Sequence, residues 1–102
     1  MYYVISLKHT HRRDKYITFW RPKNAGYCYS QEMAGIYETT EKGYHDSDSN
    51  TPILVTDADK LFQQIPYDGD IKHLIPNNKQ TWETLNVKMT RNGLEKLSPV
   101  LA

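Results

Sequence analysis

Histidines, a lone cysteine and spaced acids are the residues of this chain whose types could do chemistry. His9-Thr10-His11 sets two imidazoles at alternate positions, where a strand would aim both to one side, a spacing that zinc sites use. Further ligands would have to come from His45, His73 or an acid elsewhere, and Lys8, Arg12, Arg13 and Lys15 make a poor setting for a dication. Two solvated histidines and no metal are expected. Asp46, Asp48 and Asn50, followed by Asp57, match ligand positions of a calcium-binding EF-hand loop. Yet the required glycine at the sixth position is Thr51, the last ligand is Asp in place of Glu, and no helix precedes the loop, so a solvated turn is expected.

Cys28 with a histidine would be the minimum for nucleophilic catalysis, and its thiolate needs a basic or helix-terminal setting to form. It lies between Tyr27 and Tyr29 on a predicted strand, where a small buried side chain is the usual occupant. The five glycines are scattered as turn residues, so no phosphate-cradling loop and no cofactor is expected. A non-enzymatic protein follows, with a small hydrolase using His9, His11 or Cys28 as one alternative.

The stretch from Tyr16 to Tyr29, Y-I-T-F-W-R-P-K-N-A-G-Y-C-Y, has different credentials. Two aromatic-rich runs flank a loop with Pro22, Asn24 and Gly26, the pattern of a β-hairpin. Trp20, Tyr27, Tyr29, Arg12, Arg13 and Arg21 are of the types enriched at binding hot spots, and Lys15 adds charge. Bases interleaved with aromatics also describe a platform for single-stranded nucleic acid. Most aromatics of a small sheet belong to its core. Alternation nevertheless sets Ile17 and Phe19 on one face and Tyr16, Thr18 and Trp20 on the other, and one aromatic face is expected to stay open for a partner.

The elements that must position these residues begin with Tyr2 to Leu7, which alternates as a strand does. Residues 8–15, K-H-T-H-R-R-D-K, hold no apolar side chain and read as a solvated connection into strands at Tyr16–Trp20 and Tyr27–Tyr29. Ser30 is placed to cap a short helical turn over 31–33 that Gly35 ends. Residues 38–50 read as the longest and most mobile loop. Ile53–Val55 reads as a short buried strand, Ala58–Ile65 as a helix stopped by Pro66, Tyr67–Asp70 as a turn, and Ile71–Ile75 as a strand. A helix capped by Asn77 or Asn78 turns Trp82 and Leu85 inward, and Asn92-Gly93 signals a final hairpin between 88–91 and 94–97.

At 102 residues the chain has room for one domain, 1–102, with a core that needs no disulfide. The predicted class is α+β: a mainly antiparallel sheet with an N-terminal three-stranded meander and two or three short helices packed on one face. The lone cysteine and the lack of a signal-like or membrane-spanning stretch point to a soluble, cytoplasmic protein. Charge is divided along the chain. Residues 1–30 carry six cations against Asp14 alone, residues 31–70 nine acids against two lysines, and the remainder five cations against two acids. Such a dipolar surface can steer a charged partner.

The opening V-I-S-L-K-H-T, then R-D-K-Y-I-T-F-W-R-P and G-Y-C-Y, resembles a group of small accessory proteins of temperate phages and prophages of proteobacteria. The resemblance covers residues 4–37, with a weaker echo at Pro76–Trp82 and Asn92-Gly93. It implies a bacterial host cytoplasm and a role in binding host machinery, as anti-CRISPR and other anti-defence inhibitors do. The expected partner is therefore a host protein or protein–nucleic acid complex, occluded through Arg12, Arg13, Lys15, Trp20, Arg21, Tyr27 and Tyr29. Direct nucleic-acid binding by the basic 8–23 loop and hairpin is the other alternative, and the acidic middle could instead imitate phosphate. No membrane contact is expected.

Overall fold

The computed structural model describes residues 1–97. Its centre is strand β1, Tyr2–Ser6, whose alternating side chains are almost all buried. On one side β1 pairs antiparallel with β2, Phe19–Trp20, and β2 with β3, Tyr27–Cys28, so the expected meander is present. On the other side β1 meets β4, Asn50–Leu54, in register from Tyr2↔Leu54 to Ser6↔Asn50. The sheet order is β3-β2-β1-β4, which makes β4 an edge. Val55 N–H donates to Met1 O and Leu7 N–H to Ser49 O, so odd-numbered β4 residues face β1 and even-numbered ones face outward. Pro52 occupies an outward position and lacks the donor that an added strand would need.

Tyr3, Ile5, Leu7, Ile17 and Phe19 form the core with Cys28, Ile75, Val87 and Leu94. Tyr3, Phe19 and Phe62 make an aromatic trio with centroids 5.4–5.8 Å apart. Burial of a ring such as that of Phe19 contributes about 1.5–3 kcal/mol. The helices are α1, Val55–Asp59, and α2, Lys79–Leu85, whose partly buried Val55, Trp82 and Leu85 pack on this core. The protein is thus α+β with antiparallel sheets.

The expected helix from Ala58 to Ile65 holds only at its first two residues. α1 ends at Asp59, and Gln63–Tyr67 is strand β5, paired with β6, Asp70–Leu74. Asp68 and Gly69 both have positive φ, 53° and 79°, the conformation of the tightest hairpin loops. That Asp-Gly turn closes a ladder of five residue pairs, which overrides two turns of marginal helix. Asn78 does cap α2, its Oδ1 accepting from Thr81 N–H at 3.0 Å. Strands β7, Val87–Thr90, and β8, Gly93–Lys96, form the last hairpin, with Arg91–Asn92 as its loop. Gly93 begins β8 with φ 108°, and a Cβ there would lie 2.8 Å from Leu7 O.

Ser30 nucleates a turn through its carbonyl, which accepts from Met33 and Ala34 N–H, and not through a hydroxyl cap. The expected loop over 38–50 is irregular up to Ser49 and is anchored: His45 is buried, and Asn50, which opens β4, is buried, accepts from Trp20 Nε1–H and donates to Tyr44 O.

Residues 8–15 are not simply a solvated connection, because Thr10 is fully buried. Its hydroxyl donates to Ser6 O at 2.9 Å and accepts from Thr18 N–H at 3.0 Å, while Thr18 Oγ1 donates to His9 O at 2.8 Å. The expected strand over Tyr16–Trp20 is correspondingly shortened. Tyr16 bridges to Pro76, Ile17 N–H goes to Ile75 O and Thr18 N–H to Thr10, leaving only Phe19–Trp20 as ladder. Thr10→Val keeps the shape but leaves a buried donor and acceptor unmet, at a cost of about 1–3 kcal/mol. Urea unfolding should register that loss and find Thr10→Ser close to wild type; a Thr10→Val protein of unchanged stability would contradict the assignment.

Candidate functional site

The basic segment is a defined turn. Asp14 Oδ2 accepts from His11 N–H at 2.8 Å, and Asp14 N–H donates back to His11 O at 3.0 Å. Asn77 holds the turn from outside. Its Nδ2 donates to His11 O and Asp14 O at 2.9 and 2.8 Å, its N–H donates to Lys15 O, and its Oδ1 accepts from Trp82 Nε1–H. Arg12 and Arg13 are therefore displayed, exposed, at the tip of a turn bolted to α2. Among the described residues neither they nor Lys15 and Arg21 make an ion pair.

Beside this turn lies an aromatic cleft of ≈ 390 Å³ lined by His9, Tyr27, Tyr29, Met33 and Tyr67 with buried Thr18. The His9 ring stacks on Tyr27 with centroids 3.9 Å apart, and His9 Nδ1 lies 2.9 Å from Ser6 Oγ. Trp20 meets Tyr27 at 4.6 Å, as their cross-strand pairing requires. Tyr29, Tyr16 and Tyr67 pack edge to face at 5.9–6.4 Å. Burial holds the Tyr29 hydroxyl above its ordinary pKa, helped by the nearby Asp14 carboxylate and by Tyr67, and opposed by a hydrogen bond with Thr18. His9 precedes the turn and lines the cleft, and Tyr16 follows it and packs on Tyr29, which places the basic turn next to the cleft.

The second face of the sheet is not left open as a whole. Thr18, with Val4 and Ser6 on the same face by alternation, is buried, and Tyr16 and Trp20 are half-buried. Loops supply the cover that helices could not: 8–11 through the Thr10 bonds, and 38–50 through Asn50. Trp20 is consequently tied inward, and the exposed part of the face narrows to Tyr27, 40% exposed, with Tyr29. Arg21 is exposed beside this region, its carbonyl accepting from Tyr37 Oη–H at 2.6 Å. His9, Met33 and Tyr67 join the site although the sequence reading had not placed them there. Stacking on Tyr27 makes His9 a cleft residue, and only the β5–β6 pairing brings Tyr67 near.

Elsewhere the candidate chemistry is used structurally. Burial pushes the Cys28 thiol up to about 11, against the opposing influence of Arg21, and its Sγ donates to Ser30 O, so a thiolate at neutral pH is disfavoured. Asp46 pairs with Lys96, and Asn50 is spent on Trp20 and Tyr44. Among the described residues no three His, Cys, Asp or Glu are grouped to hold a metal, and no helix is long and apolar enough to cross a membrane. Among known proteins, no family model, curated protein or solved structure matches the chain.

One wall of the cleft is secured by Glu32, next to Met33. Its carboxylate accepts from His73 N–H at 3.1 Å and pairs with His73 Nδ1 at 2.6 Å. Burial works to raise the Glu32 pKa, but the His73 hydrogen bonds outweigh it and hold the carboxyl below 4.5. A depressed carboxylate stabilises the fold fully above its unfolded value, and that contribution is lost as pH falls through the folded one. The melting-temperature gap between wild type and Glu32→Gln should therefore be present at about pH 5 and close towards about pH 3. A gap that is constant with pH would contradict the pairing.

Proposed function

We propose that the protein is a non-enzymatic binding protein that inhibits a host protein complex, a nucleic-acid-directed defence system of the CRISPR type, by steric occlusion. The observation that carries this reading is the turn holding Arg12 and Arg13, without an ion pair among the described residues and clamped by Asp14 and Asn77, beside a cleft walled with aromatic rings. A preorganised turn loses little conformational entropy on binding, and arginine with tyrosine is the composition of interface hot spots. Six cations against one acid in residues 1–30 favour steering towards a negatively charged partner. The N-terminal resemblance to phage accessory proteins supports a host defence complex as that partner, met in the bacterial cytoplasm. Arg12, Arg13, Lys15 and Arg21 supply steering, and Tyr27 and Tyr29 the contact.

Plaque counts test the proposal directly. Expression of the protein in proteobacterial strains with active CRISPR interference should restore plating of a targeted phage in at least one system. The Arg12→Ala, Arg13→Ala double variant, folded by circular dichroism, should bind its target about tenfold more weakly or worse, and lose that rescue. No rescue across the panel, or undiminished rescue by the double variant, would refute it.

A further inference from the structure

We infer that the cleft between Tyr27, Tyr29 and Tyr67 is a subsite for an unstacked base of single-stranded nucleic acid, whose backbone phosphates lie on the turn bearing Arg12 and Arg13. This deepens the preceding proposal and rests on its reading of the face as the contact surface: the part of the host complex that is gripped is its exposed strand.

Size, lining and charge converge on that occupant. A volume of ≈ 390 Å³ is near the lower end of small-ligand pockets and suits one base or nucleoside rather than a folded partner. The walls carry ring surface, from the stacked His9–Tyr27 pair and from Tyr29 and Tyr67, and Thr18 and Ser30 add polar atoms. Among the described residues no carboxylate is part of the cleft lining. A base paired in a duplex hides its faces in the stack, whereas a single strand can offer one to a ring.

Cations flank the cleft on two sides. Arg12 and Arg13 follow closely on His9, whose ring lines the cleft, Lys15 precedes Tyr16, whose ring packs on Tyr29, and Arg21 follows Trp20, the cross-strand partner of Tyr27. Arg12, Arg13 and Arg21 have no carboxylate partner among the described residues, so their charges are free for phosphates. Asp68 and Asp70 lie at the tip of the β5–β6 hairpin, next to Tyr67. They disfavour phosphate there.

Fluorescence anisotropy with labelled oligomers of about 12 nucleotides decides the matter. The probes are a mixed-sequence DNA single strand, the same sequence as RNA, its DNA duplex, and a strand of equal length made of abasic sites. At about 50 mM salt the base-bearing single strands should bind at least about tenfold tighter than the duplex and the abasic strand. The DNA and RNA arms identify which polymer is preferred. Tyr27→Leu should cost about tenfold at unchanged salt slope, while Tyr27→Phe, which keeps the ring and serves as a folding control, should retain binding. Arg12→Ala with Arg13→Ala should lower the logarithmic salt slope by about 1.4, two phosphates' worth for a single strand.

Equal affinity for the abasic strand or the duplex, or no binding at about 50 mM salt, would overturn the inference. Phage rescue without oligonucleotide binding would leave occlusion standing and remove the base subsite. Oligonucleotide binding without rescue would do the reverse.

Discussion

A single buried hydroxyl, that of Thr10, is the constraint on which the candidate face depends. It joins Ser6 O at the end of β1 to Thr18 N–H at the start of the hairpin, in a place where water is excluded. An unmet donor or acceptor there would cost free energy, so the chain from 6 to 10 has few alternatives to the corner it makes. The same corner receives the last hairpin. Leu7 O accepts from Thr10 N–H and Leu94 N–H, and Gly93 lacks the Cβ that would strike Leu7 O. One polar knot thus sets β1, the approach to β2 and the β7–β8 hairpin relative to one another.

His9 lies inside that corner, and its ring is delivered to Tyr27 as a consequence. The arginines follow immediately, in a turn whose two outer carbonyls are held by the Asn77 amide. The face is therefore assembled by hydrogen bonds from loops, while the core beneath it is assembled by apolar burial. The buried side chain of Cys28 contributes to the second task. The aromatic cleft, and cations that make no ion pair among the described residues, belong to neither task.

Much of the scaffold was legible in the residues. Alternation in Tyr2–Ser6, the meander through Trp20 and Tyr27, and the Asn78 cap of α2 are local patterns with local causes. The Asp68-Gly69 turn was equally visible, but its consequence was not: two-residue turns define strands on both sides, and Gln63–Tyr67 went to β5 despite Pro66 and a helical spacing of Leu61, Phe62 and Ile65. Thr10 was illegible for a different reason. In K-H-T-H-R-R-D-K nothing distinguishes a buried hydroxyl from a solvated one, because its partners, Ser6 O and Thr18 N–H, are backbone atoms brought near only by the fold. The cleft was half legible: Tyr27 and Tyr29 follow from composition and pairing, whereas Tyr67 reaches them through a distant hairpin.

Hydrogen exchange at the Thr18 amide reads the central constraint most directly. Its acceptor is a side-chain hydroxyl in a loop that composition marks as solvated. If the Thr10 knot orders the face, this amide exchanges only through global unfolding, with protection equal to that of the amides of β1. Exchange on the timescale of an open loop, with β1 still protected, would show that the corner forms and dissolves independently and would contradict the claim that it holds the face in place.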